Sequence, residues 1–177
     1  MVGDMRFHKK YVIRTVIIVI LLLGIAYFLY RIPREFHKEY QGVYYQIGNP
    51  DLSEMVTIRF DGYLTRGLWQ EDSFEGTIKV GDQELTRVNL NLYKDSGAVI
   101  SYIDNRIQDI NTYGTLYTKD IREGFTICIL QEDENNPGHR SWSGEDGYMI
   151  SAPAGNRSEA LELSNRLMEK ILLEDFE

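Results

Sequence analysis

Two unlike hydrophobic patterns divide the chain. From Val12 to Tyr30, VIRTVIIVILLLGIAYFLY, apolar residues run without a period. Arg14 is the one charge among these 19 residues, and from Thr15 onward only Thr15 and Gly24 are neither apolar nor aromatic. At 1.5 Å rise per residue the run spans roughly 28 Å, the thickness of a bilayer hydrocarbon core. It predicts a transmembrane helix over 12–30, preceded by a tail at 1–11 and followed by a charged link at 31–40, RIPREFHKEY.

Beyond residue 41 apolar and polar positions alternate with a period of two, the mark of strands with one buried face. Val56, Ile58 and Phe60 alternate with Thr57 and Arg59, and Asp61-Gly62 then carries a strong hairpin signal, so a second strand is expected over 63–69. Phe74, Gly76, Ile78 and Val80 form the next alternating set, and Gly81-Asp82 turns the chain. Val88, Leu90 and Leu92 follow, and Asp95-Ser96-Gly97 suits a three-residue loop with glycine in the left-handed region. Further strands are expected over 98–103, 112–118 and 124–131, with two more around 43–47 and 148–151. No stretch between them reads as a crossover helix. The expected fold is therefore mainly β: an antiparallel meander of eight or nine strands, either a small barrel or a curled sheet.

Two segments depart from the alternation. Residues 132–147, EDENNPGHRSWSGEDG, form a long polar loop, a length that in compact domains is often functional. Near the C-terminus, Asn156 and Glu159 make a capping-box pattern. Ala160, Leu163, Leu167 and Ile171, with Leu161, Met168 and Leu172, then share one broad face. They predict a helix over 156–175 that packs on the sheet or plugs a barrel end.

Charge changes the picture in two ways. The first 30 residues carry four basic residues and one acid (+3), and the remainder 15 basic and 26 acidic (−11). A domain that acidic repels phosphate backbones, so nucleic acid is excluded as an expected partner. Four basic residues precede or begin the apolar run against Arg31, Arg34 and Lys38 after it. The positive-inside rule then places the N-terminus in the cytoplasm and the domain outside, in a single-pass arrangement. Tyr27, Phe28 and Tyr30 become an aromatic belt, and Arg14 snorkels toward the inner face. Gly24 and Ala26 have the small-residue spacing of a signal-peptidase site, which leaves a cleaved signal peptide as the rival. Apolarity continuing through Tyr27–Tyr30 favours an uncleaved anchor.

Chemistry-bearing residues are few. Cys128 is the sole cysteine, in an apolar run that reads as a buried strand; it is a structural thiol or an intermolecular disulfide partner. His37 lies in the charged link and His139 in the long loop. None of the nucleophile-elbow, zinc-protease or phosphate-loop patterns occurs. The acidic loop starting at Asp133 resembles a calcium loop in part, but Pro137 and Gly144 stand where ligands are needed, so no metal and no cofactor is expected. Asn156-Arg157-Ser158 is a sequon by pattern that coincides with the helix cap. Trp142 in the long polar loop reads either as an interface anchor or as a residue buried by the loop folding back, with His139, Arg140 and Tyr148 beside it as partner-binding candidates.

The meander opening with Gly42-x-Tyr44-Tyr45 and ending in a helix resembles a lipocalin-type layout, in which tryptophan usually stands where this chain has Tyr44. That resemblance implies a barrel holding a small apolar ligand. The leading expectation is different: a non-catalytic, membrane-anchored accessory or assembly subunit that binds a membrane or envelope protein. The barrel ligand is the alternative, and an envelope enzyme the third reading.

Overall fold

The structure is a computed structural model that describes residues 4–68, 71–93, 96–104, 109–133, 136, 138–172 and 176. It divides into two units, 1–33 and 34–177. The first is a single helix, α1 (Asp4–Tyr30). Its segment Tyr11–Tyr30 is long and apolar enough to cross a membrane.

Among its described residues the second unit has ten strands and a helix: β1 (Arg34–Gln46), β2 (Asn49–Thr65), β3 (Glu71–Val80), β4 (Gln83–Tyr93), β5 (Ala98–Asp104), β6 (Asp109–Asp120), β7 (Gly124–Ile129), β8 (Gln131–Glu132), β9 (Arg140–Ser141), β10 (Tyr148–Ala152) and α2 (Arg157–Met168). Eight of the strands close into an antiparallel barrel in the order β1-β10-β7-β6-β5-β4-β3-β2, and β8 and β9 form a separate small hairpin. A closed barrel carrying a C-terminal helix is the layout implied by the lipocalin resemblance.

Alternation fills the barrel. Phe36 and Tyr40 of β1, Phe60 of β2, Phe74 of β3 and Phe125 of β7 all point inward and are buried. Their rings meet edge to face, Tyr40 against Phe125 at 5.2 Å, Phe60 against Phe125 at 5.3 Å and Phe60 against Phe74 at 5.4 Å between centroids. This is the preferred geometry for aromatic pairs. An eight-stranded barrel encloses either its own side chains or one small ligand, and here aromatic rings lie in that space.

A second core lies on the outer wall, beneath α2. Val43 and Tyr45 of β1, Cys128 of β7, Met149 of β10 and Ala160 and Met168 of α2 are buried together. Strand β7 is therefore buried on both faces, which explains its unbroken apolar run. A buried polar chain ties the helix down. The Tyr45 hydroxyl lies 2.8 Å from Ser164 Oγ and 3.3 Å from Ser151 Oγ, and Ser151 Oγ lies 2.7 Å from Thr126 Oγ1. The helix starts as expected. Asn156 accepts a hydrogen bond from the Glu159 amide at 3.0 Å, and Glu159 Oε2 accepts one from the Gly155 amide at 2.8 Å.

Several expectations are corrected. Asp61-Gly62 is no hairpin: β2 runs through it, and Gly62 pairs with Gly76. A Cβ on either glycine would collide with the other strand's backbone. The pair thus marks a place where two strands approach too closely for side chains, and the expected strand at 63–69 merges into β2 as far as Thr65. The charged link at 31–40 is mostly strand, since β1 begins at Arg34. Its pattern is disguised by Lys38, which faces inward, donates to the Arg122 carbonyl and lies 4.7 Å from the Tyr40 ring centroid. Beside it the Tyr40 hydroxyl donates to the Ile121 carbonyl.

The loop expected around Asp95 lies partly outside the described residues, and Gly97 has no left-handed backbone. A side chain there would strike Thr115 and the Tyr117 ring. The left-handed glycines are Gly48, Gly81 and Gly138, of which Gly81 belongs to the expected β3–β4 turn. Finally, α2 ends at Met168, not at 175. Residues 173–175 lie outside the described residues, and the chain comes back at Phe176, whose amide and carbonyl bond to the Asn165 side chain.

The two cores make separable predictions. Phe60→Ala leaves a large hole in the ring cluster and should cost about 3–5 kcal/mol of unfolding free energy. Tyr45→Phe removes only a hydroxyl, and Ser164 keeps the Ala160 carbonyl as a partner, so the change should cost about 1 kcal/mol. Denaturant titration of the full chain in detergent measures both, and equal losses would contradict the assignment.

Candidate functional site

Strand polarity decides which turns share a barrel end. The β1–β2 turn, the β3–β4 turn, the β5–β6 connection and the long loop before β10 gather at one end. Arg34, where the chain enters the barrel, lies at the other end with the β6–β7 turn.

At the gathered end the inward positions include four tyrosines, beside Val56 of β2 and Ile129 of β7. Tyr44 on β1, Tyr102 on β5, Tyr113 on β6 and Tyr148 on β10 are half-buried, and the first three pack on the barrel core. Tyr44 and Tyr148 stack, with centroids 5.5 Å apart and planes at 25°. Burial raises the Tyr113 phenol above its ordinary value, and the nearby Tyr44 and Tyr102 phenols add to the effect. Tyr44 is raised by burial first, then by Tyr148 and Glu54. The four side chains thus form one electrostatic neighbourhood. Phenols held neutral are hydrogen-bond donors and ring faces, not nucleophiles or bases, at physiological pH.

The described residues of the long loop are hydrogen-bonded to one another and to the barrel. The β8–β9 hairpin closes through the Asp133 amide, which donates to the His139 carbonyl at 2.8 Å. Arg140 Nη1 donates to the Thr112 carbonyl at 2.8 Å, beside Tyr113, and so fastens the hairpin to β6. The loop also reaches β1: the Ile47 amide donates to the Gly147 carbonyl at 3.0 Å, and Gln46 Nε2 to the Asp146 carbonyl at 2.9 Å.

The residues expected at the site therefore part company. Tyr148 belongs to the tyrosine cluster, Arg140 braces its rim, and His139 is exposed on the hairpin. Trp142 does not stand out as an exposed anchor. It is half-buried, its indole packs edge-on against Phe176 at 6.0 Å, and its Nε1 is buried without a hydrogen-bond partner. A loop tryptophan with an apolar cluster in reach gains more by covering it than by facing water.

Tyr44, Tyr102 and Tyr113 read from sequence as ordinary strand packing. Their shared position shows only once the meander is drawn with its polarity, which brings the end of β1, the ends flanking the β5–β6 connection and the start of β10 together. His37 sits on β1, exposed, with Nδ1 3.0 Å from Asp61 Oδ1. Among the described residues no group of three or more His, Cys, Asp or Glu is spaced to hold a metal ion. Two clefts flank the end of α2; the larger, about 260 Å³, lies among Lys119, Glu123, Leu163 and Arg166.

Cys128 is buried beneath α2, its Sγ 4.0 Å from Met168 Sδ, and burial pushes its thiol up to about 12. A thiol in that setting is unreactive. Comparisons with known protein families, with curated proteins and with solved structures returned no match.

The raised groups set the alkaline limit of the fold. Each holds its proton more tightly folded than unfolded, so its stabilisation is complete below the unfolded value, 9.0 for the thiol and 10.0 for the phenols, and is lost as pH rises toward the folded value. The melting temperature should be flat to about pH 9 and fall beyond it. Cys128→Ala should make the decline between about pH 9 and 10 shallower. An unchanged slope, or rapid labelling of Cys128 by a thiol reagent at pH 8 in the native state, would contradict this account.

Proposed function

We propose that this chain is a single-pass, membrane-anchored extracytoplasmic protein without catalytic activity, an accessory or assembly subunit whose barrel docks a membrane or envelope protein. The observation that carries the reading is the cluster of half-buried tyrosines at one barrel end. Tyrosine is enriched where protein surfaces dock, because a rigid ring covers much area while its hydroxyl satisfies polar groups. In this reading the bilayer holds 12–30, with Arg14 toward the cytoplasm and Tyr27, Phe28 and Tyr30 at the outer interface.

The interior argues the same way. A small apolar ligand needs free volume inside the barrel, and the ring cluster from Phe36 to Phe125 occupies the space such a ligand would take. The barrel thus reads as a rigid stand for its rim.

Photocrosslinking in intact membranes tests the proposal. A benzophenone amino acid in place of Tyr148 should give a discrete crosslinked product, whereas the same group at Glu71, at the opposite barrel end, should not. Equal products from both positions, or none from Tyr148, would sink the docking reading. Protease added outside the cell should digest the barrel domain and spare α1; protection of the domain would reverse the orientation.

A further inference from the structure

We infer that the partner reaches the tyrosine end through an extended, lysine- and arginine-rich segment. This rests on the docking reading above and adds the chemistry of what docks.

Acids frame the aromatic floor on three sides. Asp51 and Glu54 stand on the first half of β2, Asp104 and Asp109 face each other across the β5–β6 connection, and Glu145 and Asp146 lie in the turn before β10. Five of the six are exposed and Asp104 is half-exposed. Two of these acids are tied to the strand that carries Tyr44: Glu54 stands opposite Tyr44 in the β1–β2 ladder, and the Asp146 backbone carbonyl accepts from the Gln46 side chain. Of the cations at this end, Arg140 donates to the Thr112 carbonyl and Arg157 to the Gln46 carbonyl, while Arg87 stands exposed on β4 next to Thr86, which pairs with Ile103. Lys79 stands at the end of β3, and Arg106 lies outside the described residues.

The charge thus complements a cation, and the floor suits one too. Neutral tyrosine faces attract ammonium and guanidinium groups, more strongly where water is partly excluded. The long aliphatic stems of lysine and arginine lie flat on such rings. Acidic side chains around the floor draw a basic segment in and disfavour acidic ones. A purely apolar segment would strip water from the exposed Glu54 and Asp146 carboxylates at a cost in free energy.

The test uses the full chain in phosphatidylcholine nanodiscs and a fluorescent ten-residue peptide of alternating serine and lysine or arginine. Glu54→Gln with Asp146→Asn should weaken binding about tenfold, because two surface ion pairs are lost. Glu71→Gln with Glu123→Gln removes the same charge at the opposite barrel end and should change binding less than twofold. Tyr148→Ala should weaken binding about fivefold, with Tyr148→Phe retaining most of it, as expected for a ring face. Melting curves establish that each variant is folded, and the charge variants, all at exposed positions, keep the test open if Tyr148→Ala unfolds.

Equal weakening by the two charge pairs would reduce the effect to diffuse attraction by an acidic protein and overturn the inference. So would full affinity in folded Tyr148→Ala, or equal binding of a peptide with glutamate in the basic positions. A crosslinked partner whose contacting segment is neutral or acidic also overturns it, while leaving the docking reading intact.

Discussion

Closure of the barrel is the constraint on which the rest of this structure depends. Eight strands leave an interior that side chains can fill, and the residues that fill it come from alternate positions on each strand. Phe36, Tyr40, Phe60, Phe74 and Phe125 do this with edge-to-face rings, so the wall is held from within. Where the wall needs strands to come closer than side chains permit, Gly62 faces Gly76. Once closed, the barrel has no free edge for further strand pairing. Its surface for interaction is therefore its outer wall and its two ends.

The wall and the ends are used differently. Part of the outer wall is taken by α2, which covers Val43, Tyr45, Cys128 and Met149 and is fixed by the buried chain Tyr45, Ser151, Thr126 and Ser164. Directional bonds define where a helix sits in a way that apolar contact alone does not. One barrel end is closed by Ile121, with Lys38 and Tyr40 bonded to the carbonyls of the β6–β7 turn. The opposite end carries partly buried tyrosines and acids, and the hairpin fastened by Arg140 supports it. The barrel interior holds aromatic rings, and the half-buried tyrosines lie at this one end.

Much of this was legible residue by residue, and the failures share a physical cause. Alternation located β3, β4, β5, β6, β7 and β10, and the cap at Asn156 located α2. Lys38 hid the start of β1, because an inward lysine breaks a hydrophobic pattern whenever a carbonyl beyond the barrel's end can receive it. Asp61-Gly62 reads locally as a turn, yet its glycine answers a neighbour 14 positions away. Trp142 stands in a polar loop that leaves both exposure and burial open, and its partial burial rests on Phe176, 34 positions on. Each of these residues answers a distant neighbour.

By itself, the sequence determined the apolar helix, the antiparallel meander, the terminal helix and the acidity of the domain, because these follow from local periodicity and composition. Tertiary structure alone decided that the meander closes, that α2 covers β7 from outside, and that Tyr44, Tyr102, Tyr113 and Tyr148 share one end. Those outcomes depend on strand register and polarity, which join residues as far apart as Tyr44 and Tyr148. Such contacts carry no local signal, since each tyrosine taken alone is an ordinary strand residue.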